Sequence, residues 1–453
     1  MQSKKPNLAD DNLLRLLAQM SLPAIVAMSV NALYNVVDAA FVGRGVGTLG
    51  LAGVSLVFPL QMAYLALSQF VGIGGGALIS IALGERDREK ARGIMGNVWL
   101  AFLIMAPLLT GAGFFFKSEL ISLFGATGDV VPFTDDYLSV ILGGTAFTVF
   151  SMIMNNILRA QGYAREAMIS MLIGVVSNII LDPVFIFGFR MGTAGAAWAT
   201  VIARFFSALY ILAIYFRSRY DLVRPETRDL LPRAGVLFRI MSVGLSSLFR
   251  QSAASVLLIV VNNILVRMGS ETDVAAFAVI NRTMMLVLMP VFGLAQGLQP
   301  IIGFNYGAGR LDKVLRSVTL AVFIATGVTA MGFVLGEFFP RTLLSLFSAD
   351  RTFVRSTAVY MRLFTAMFPL VGFQVIVSTL YQAMGHVRPA VFISLLRQII
   401  ILIPLLIVLP SLWGISGVWV SFPLADILSF SVIYGMFALF RRKIQSGTFH
   451  GQG

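Results

Sequence analysis

Cysteine is absent from the 453 residues, which excludes disulfides, thiol catalysis and thiolate metal sites. Histidine is nearly absent. The two present, His386 and His450, fall in a loop and in the tail, so a histidine-bound metal is not expected. Charge is also scarce: 12% of residues are Asp, Glu, Lys or Arg, against 58% hydrophobic, with a mean hydropathy of +0.87. Soluble domains carry about twice that charged share, so this chain lacks the polar surface that water requires. No GxxxxGK[ST] loop occurs, so ATP is not the expected energy source. No cleavable leader is expected either. Lys4, Lys5, Asp10, Asp11 and Arg15 precede an apolar run that outlasts a signal peptide and lacks a small-residue cleavage site.

What is present is one apolar run after another. About 20 apolar residues cross a bilayer as a helix. Qualifying runs lie near 16–42, 53–83, 94–116, 137–158, 167–189, 194–216, 240–266, 275–306, 317–338, 358–382, 391–410 and 415–440. The expectation is an all-α integral membrane protein of twelve spans, with the second and eighth long and glycine-rich enough to bend or tilt. The net charge of +13 then reads as loop chemistry and not as a nucleic-acid footprint. With the N-terminus inside, most basic residues fall in inner segments, among them Arg86, Arg88, Lys90 and Arg92, then Arg217 to Arg239, then Arg441, Arg442 and Lys443. Both termini are therefore expected to be cytoplasmic.

The one sizeable polar break, 217–239, divides the chain into an N-terminal half, 1–216, a C-terminal half, 240–440, and a tail, 441–453. The halves resemble each other. Val54, Gly72, Gly84 and Asp87 recur 225 residues later as Val279, Gly297, Gly309 and Asp312. Tyr137, Ala160, Gly162, Arg165 and Ala167 recur 223 residues later as Tyr360, Ala383, Gly385, Arg388 and Ala390. Six spans per repeat return the chain to its starting side, so the repeats are parallel and a central cavity between them is expected.

Acidic residues at membrane depth are costly, about 2.5 kcal/mol or more each on insertion scales, so each one asks for a partner or a task. Asp38, Asp182 and Asp426 are the three. Asn31 and Tyr34 precede Asp38 by seven and four residues and share its helical face. Asn178 and Asp182 are likewise spaced i, i+4, and Pro183 frees a carbonyl beside them. With a hydroxyl from Thr200, these oxygens suit a small hard cation. The plainer alternative is that they only bond helices together, with Arg204 neutralising a carboxylate. Asp426 fits a structural ion pair with Arg397 at least as well as a transport role, and Arg250, Arg282 and Arg362 fit snorkelling or carbonyl contacts. Asn31, Tyr34 and Asn155 are candidate substrate-cavity residues. The Gly72–Gly76 stretch looks like a dinucleotide loop, but no strand precedes it, and close helix packing explains it better. Asn281-Arg282-Thr283 fits a glycosylation sequon but falls within a span.

Pro23 and Asp38 in the first span, the Asn-x-x-x-Asp-Pro at 178–183 and the parallel repeat resemble the multidrug and toxic compound extrusion (MATE) family over residues 13–440. They are similar in particular to the prokaryotic branch with its cation site in the N-terminal half. That resemblance implies a monomeric antiporter in the cytoplasmic membrane exporting small organic molecules, and neither an enzyme nor a partner of nucleic acid. It implies no cofactor beyond H⁺ or Na⁺ as coupling ion, held at positions 38, 178, 182 and 200, and a bend of the first helix at Pro23. The sequence departs from the branch with acids in the second half: Ile401, Leu405 and Asn263 stand where Asn178, Asp182 and Asp38 map. A lipid-linked precursor flippase and a membrane scaffold are the competing readings.

Overall fold

Apolar runs of this length, in a medium without water, have one economical solution, which is to satisfy every backbone group inside a helix. The computed structural model describes residues 6–217, 220–348 and 350–447, and no strand occurs among them. Lys4, Lys5, Arg219 and His450 lie outside the described residues.

Among the described residues, ten helical segments are long and apolar enough to cross a bilayer, and two bent pairs, each taken as one span, bring the count to twelve. The chain divides into two compact units, Val26–Gly244 in one and Leu8–Ile25 with Leu245–Gly453 in the other. The first unit is built from α1 (Leu13–Gly45, from Val26 onward), α2 (Thr48–Gly84), α3 (Arg88–Phe115), α4 (Lys117–Leu123), α5 (Val131–Gly143), α6 (Thr145–Ala160), α7 (Ala164–Pro183) and α8 (Gly192–Phe216). The second holds most of α9 (Ala234–Met268), then α10 (Glu271–Gly307), α11 (Leu311–Phe338), α12 (Pro340–Ser345), α13 (Arg351–Thr365), α14 (Pro369–Ala383), α15 (Val387–Leu395), α16 (Ile403–Trp413) and α17 (Ile415–Gln445).

The fourth and tenth expected spans are not single helices. Residues 128–143 and α6 meet at 55°, and α13 and α14 at 46°. Gly143 and Gly144 break the first pair and Pro369 opens the second helix of the other, chemistry that an apolar window does not register. The long glycine-rich spans, α2 and α10, are each an unbroken helix of 37 residues. In both units the fifth span winds locally as π-helix, at Val184–Gly188 after Pro183 and at Leu396–Leu402.

Packing explains the glycine run in α2. A Cβ on Gly72 would lie 2.9 Å from the Asn156 amide nitrogen, and one on Gly74 would lie 2.1 Å from the Ile240 carbonyl oxygen. The stretch is a helix contact surface, as the missing strand implied. In the second unit the start of α1 is seated on α10 in the same manner. Gly297 meets Ser21, Gly293 meets Ile25, and Ser21 donates to the Leu294 carbonyl at 3.3 Å. The helix continues through Pro23 without interruption.

The polar segment after α8 is fastened along the first unit. Val223 N donates to Gln161 Oε1 at 2.6 Å and Arg233 N to Asn97 Oδ1 at 3.0 Å, with ion pairs Arg88–Asp221 and Arg92–Glu226. Outward, the surface is apolar to a degree that only lipid tolerates: Phe216 is 83% exposed and Phe323 79%.

Candidate functional site

Three helices of the first unit, α1, α7 and α8, bring the polar residues together. Asp182 ends α7 and is fully buried, and Asn178, one turn earlier, is nearly so. Asp38, on the later part of α1, faces Asp182 with the two carboxyls within hydrogen-bonding reach. Two carboxylates share such a contact only when a proton or a cation lies between them. Thr200, on α8, completes the set. With the Asn178 amide turned so that its nitrogen faces Asp182, it donates to Oδ2 at 2.8 Å, and its oxygen lies 3.3 Å from the Thr200 hydroxyl. The Thr200 hydroxyl also sits 3.1 Å from the Ala196 carbonyl. Asp182 Oδ1 is buried and has no hydrogen-bond partner among the described residues.

Two further helices, α5 and α2, add residues that the sequence reading passed over. The Tyr137 hydroxyl, on α5, accepts from Gln61 Nε2 on α2 at 3.0 Å and lies within hydrogen-bonding reach of Thr200. The donor set is thus oxygen throughout: two carboxylates, an amide and hydroxyls. It fits a proton or a small hard cation. No group of three or more His, Cys, Asp and Glu occurs among the described residues.

Asn31 and Tyr34 line a small cleft together with Asn178, Thr200 and Arg204. The candidate cavity residues of α1 and the candidate coupling residues therefore share a wall. Arg204 does not neutralise a carboxylate. It forms no ion pair among the described residues, and its charge faces Tyr34 in the cleft. Asn155 does not line the cleft. It lies buried on α6 with its Oδ1 unpartnered among the described residues.

The second unit has no such cluster where the repeat maps it. Its buried carboxylate, Asp426 on α17, is bound to Arg397 in the π-helical turn, and Gln374 Nε2 donates to the Asp426 carbonyl at 3.2 Å. Arg362 Nε donates to the Glu337 carbonyl at 3.0 Å, the carbonyl contact expected of it. Thr283, of the sequon-like triplet, is buried within α10. His386 is tied through Nε2 to the Tyr306 hydroxyl at 3.1 Å.

Comparison with known proteins bears on the repeat and on the fold. The MatE family model matches the chain twice, at residues 23–184 and 246–408, which is the duplication seen in the sequence. The multidrug export protein MepA of Staphylococcus aureus strain N315 is 27% identical over 416 residues, covering 90% of each chain. Its Staphylococcus saprophyticus counterpart is 26% identical over 409 residues, covering 90% of this chain and 89% of that one. Among solved structures, a MATE protein in a bent conformation superposes with a TM-score of 0.92 at 27% identity, covering 99% of both chains. An outward-facing multidrug resistance MATE family transporter gives 0.90 at 27%, over 98% of this chain and 99% of that one. A MOP superfamily transporter from Pyrococcus furiosus, described as having a binding pocket of reversed polarity, gives 0.91 at 26%, with the same coverage. A family model matched twice over most of the length, on a fold of two six-helix repeats, is a statement about the whole chain: it belongs to the MatE family of multi-pass membrane transporters and is not an enzyme.

Proposed function

We propose that the chain is a secondary active antiporter that exports small amphiphilic or cationic organic molecules in exchange for H⁺ or Na⁺. The observation that carries this reading is the Asp38–Asp182 pair, a half-buried carboxyl against a fully buried one beside Asn178 and Thr200, with one oxygen of Asp182 unpartnered among the described residues. An orphaned oxygen of that kind is costly unless a ligand is taken up there in the working cycle. The multidrug export names of the relatives support the cargo class. In this reading H⁺ and Na⁺ compete for the same oxygens. The proton-loaded form keeps the Asn178 amide nitrogen toward Asp182, and Na⁺ binding turns the amide oxygen inward.

The cleft wall shared by Asn31, Tyr34, Asn178 and Thr200 supports direct antagonism between cargo and cation, which exchange requires. The working halves in this proposal are 1–216 and 240–440, rocking about the 217–239 segment in alternating access, with both termini cytoplasmic and the monomer as the transporting unit. Pro23 supplies the bend of α1. Charge arithmetic sets what the coupling can deliver. One cation exchanged for one monovalent cationic drug moves no net charge. Two cations per drug move one charge, which at about 150 mV adds ~3.5 kcal/mol, or about a 300-fold steeper drug gradient.

The test is dye transport by inverted vesicles with a pH or a Na⁺ gradient imposed separately. Asp38→Asn and Asp182→Asn are each expected to abolish gradient-driven transport while the protein remains folded in the membrane. Normal coupled transport in either variant would make that carboxylate a helix-bonding group and end the site assignment.

A further inference from the structure

A second polar cluster in the first unit lies apart from the carboxylates. Arg159, near the end of α6, is only 7% exposed. Its guanidinium donates to Asn156 Oδ1 at 2.8 Å, and among the described residues it joins no ion pair. Asn156 is itself fixed, its nitrogen donating to Gln69 Oε1 at 2.7 Å and to the Met152 carbonyl at 2.9 Å. Its oxygen is thereby aimed at Arg159. One turn earlier on the same face, Asn155 is also 7% exposed, and its Oδ1 has no partner among the described residues.

A guanidinium carries five N–H donors in a planar fork and does not shed its charge. Burying one with a single bond to an amide, and no counter-charge, leaves most of that fork unused. The scaffold itself does not require the charge. In the second repeat, 223 residues on, the matching residue is Gln382, a neutral side chain whose nitrogen donates to Ser246 Oγ at 2.8 Å.

We propose that Arg159 and Asn155 form a binding site for an oxyacid group, carboxylate or phosphate, carried on an amphiphile. The fork of Arg159 takes two oxygens of the anion, with Asn156 and Gln69 holding it in position. The Asn155 carbonyl accepts a hydrogen from a neighbouring hydroxyl or ammonium of the same molecule. That chemistry is shared by the headgroup of an anionic lipid and by an acidic amphiphile taken up as cargo. Binding at this site needs neither a gradient nor transport, so it stands or falls separately from the antiporter reading.

The experiment titrates decyl phosphate into the purified full chain in neutral detergent, with decyltrimethylammonium as the control probe. Arg159→Gln, which installs the residue found at the matching place in the other repeat, is expected to weaken decyl phosphate about tenfold or more. The ammonium probe should be unaffected. Arg159→Lys, a point charge without the fork, is expected to lose part of that affinity. If Arg159→Gln fails to fold, the lysine variant carries the same comparison. Equal decyl phosphate affinity in the wild type and the folded variants overturns the site. A parallel titration in nanodiscs distinguishes the sources. Phosphatidylglycerol that displaces decyl phosphate where phosphatidylcholine does not supports the site with lipid as its occupant. Unchanged decyl phosphate binding that still depends on Arg159 supports it with a free acid.

Discussion

Tyr137 and Tyr360 hold matching places in the two repeats, yet their surroundings differ completely. Tyr360 lays its ring on Trp419, with centroids 4.4 Å apart and planes 8° from parallel, inside an aromatic and aliphatic core. Tyr137 points its hydroxyl at Gln61 and Thr200. Tyr137→Phe is therefore expected to strand the Gln61 amide, at about 1–3 kcal/mol, and to raise the cation concentration needed for half-maximal exchange. Tyr360→Phe keeps the stacked ring and should leave exchange near wild type. Melting temperature and cation-driven dye transport, measured on both variants, check the contrast, and equal effects on transport would remove Tyr137 from the site. The pair also shows what a sequence reveals at this scale. Asp38 and Asp182 were legible as candidates because charge within an apolar run is expensive, and Asn178 because the spacing i, i+4 gives it the face of Asp182, while Thr200 entered as a nearby hydroxyl and through the family resemblance. Gln61 and Tyr137 carry no charge, and a tyrosine in such a run reads as packing. Only the folding of α2 and α5 onto the carboxylates gives them their place.

Helices in this chain approach one another wherever glycine removes the side chain that would keep them apart. Gly74 illustrates the limit, since its missing Cβ would fall 2.1 Å from a backbone carbonyl, which has no rotamer with which to yield. Gly74→Val is expected to cost about 1–3 kcal/mol or more, the range of overpacking in a filled interior. Gly111, in α3, has no neighbouring atom within 4 Å of the place a Cβ would take, so Gly111→Ala is expected to gain up to about 1 kcal/mol from helix propensity alone. Unfolding midpoints of the two variants in one detergent should move in opposite directions. A shared direction would mean that the contact surface of α2 is softer than its geometry indicates. Element boundaries were readable where polar loops punctuate the runs, and unreadable at α5–α6 and α13–α14. There the bend of 55° or 46° arises inside continuous apolar sequence.

At the scale of the molecule, the two repeats differ in their buried polar residues. One unit keeps two carboxylates, an amide and a hydroxyl where the other has filled the matching positions with Ile401 and Leu405 and locked its own buried acid to Arg397. The repeat was legible from constant offsets, but the membership of each unit was not, because α1 reads as one hydrophobic run. Its early residues, Leu8–Ile25, pack with the second unit: Asn305 Nδ2 donates to the Leu8 carbonyl at 3.1 Å, and Lys313 pairs with Asp11. A chain cut within 217–239 and produced as two fragments is therefore expected to give a C-terminal fragment that unfolds at lower temperature than one supplied with residues 8–25. Identical midpoints for the two preparations would show that this strip contributes nothing to the unit. The same feature bears on how the protein is made. The strip leaves the ribosome well before its seat on α10, which is synthesised about 270 residues later, a delay of roughly 14 to 54 s at ordinary elongation rates. Through that interval the first helix sits in the bilayer with one end docked and the other waiting, so closure of the second unit is an act of the nearly finished chain, and a prematurely terminated one has no means of completing it.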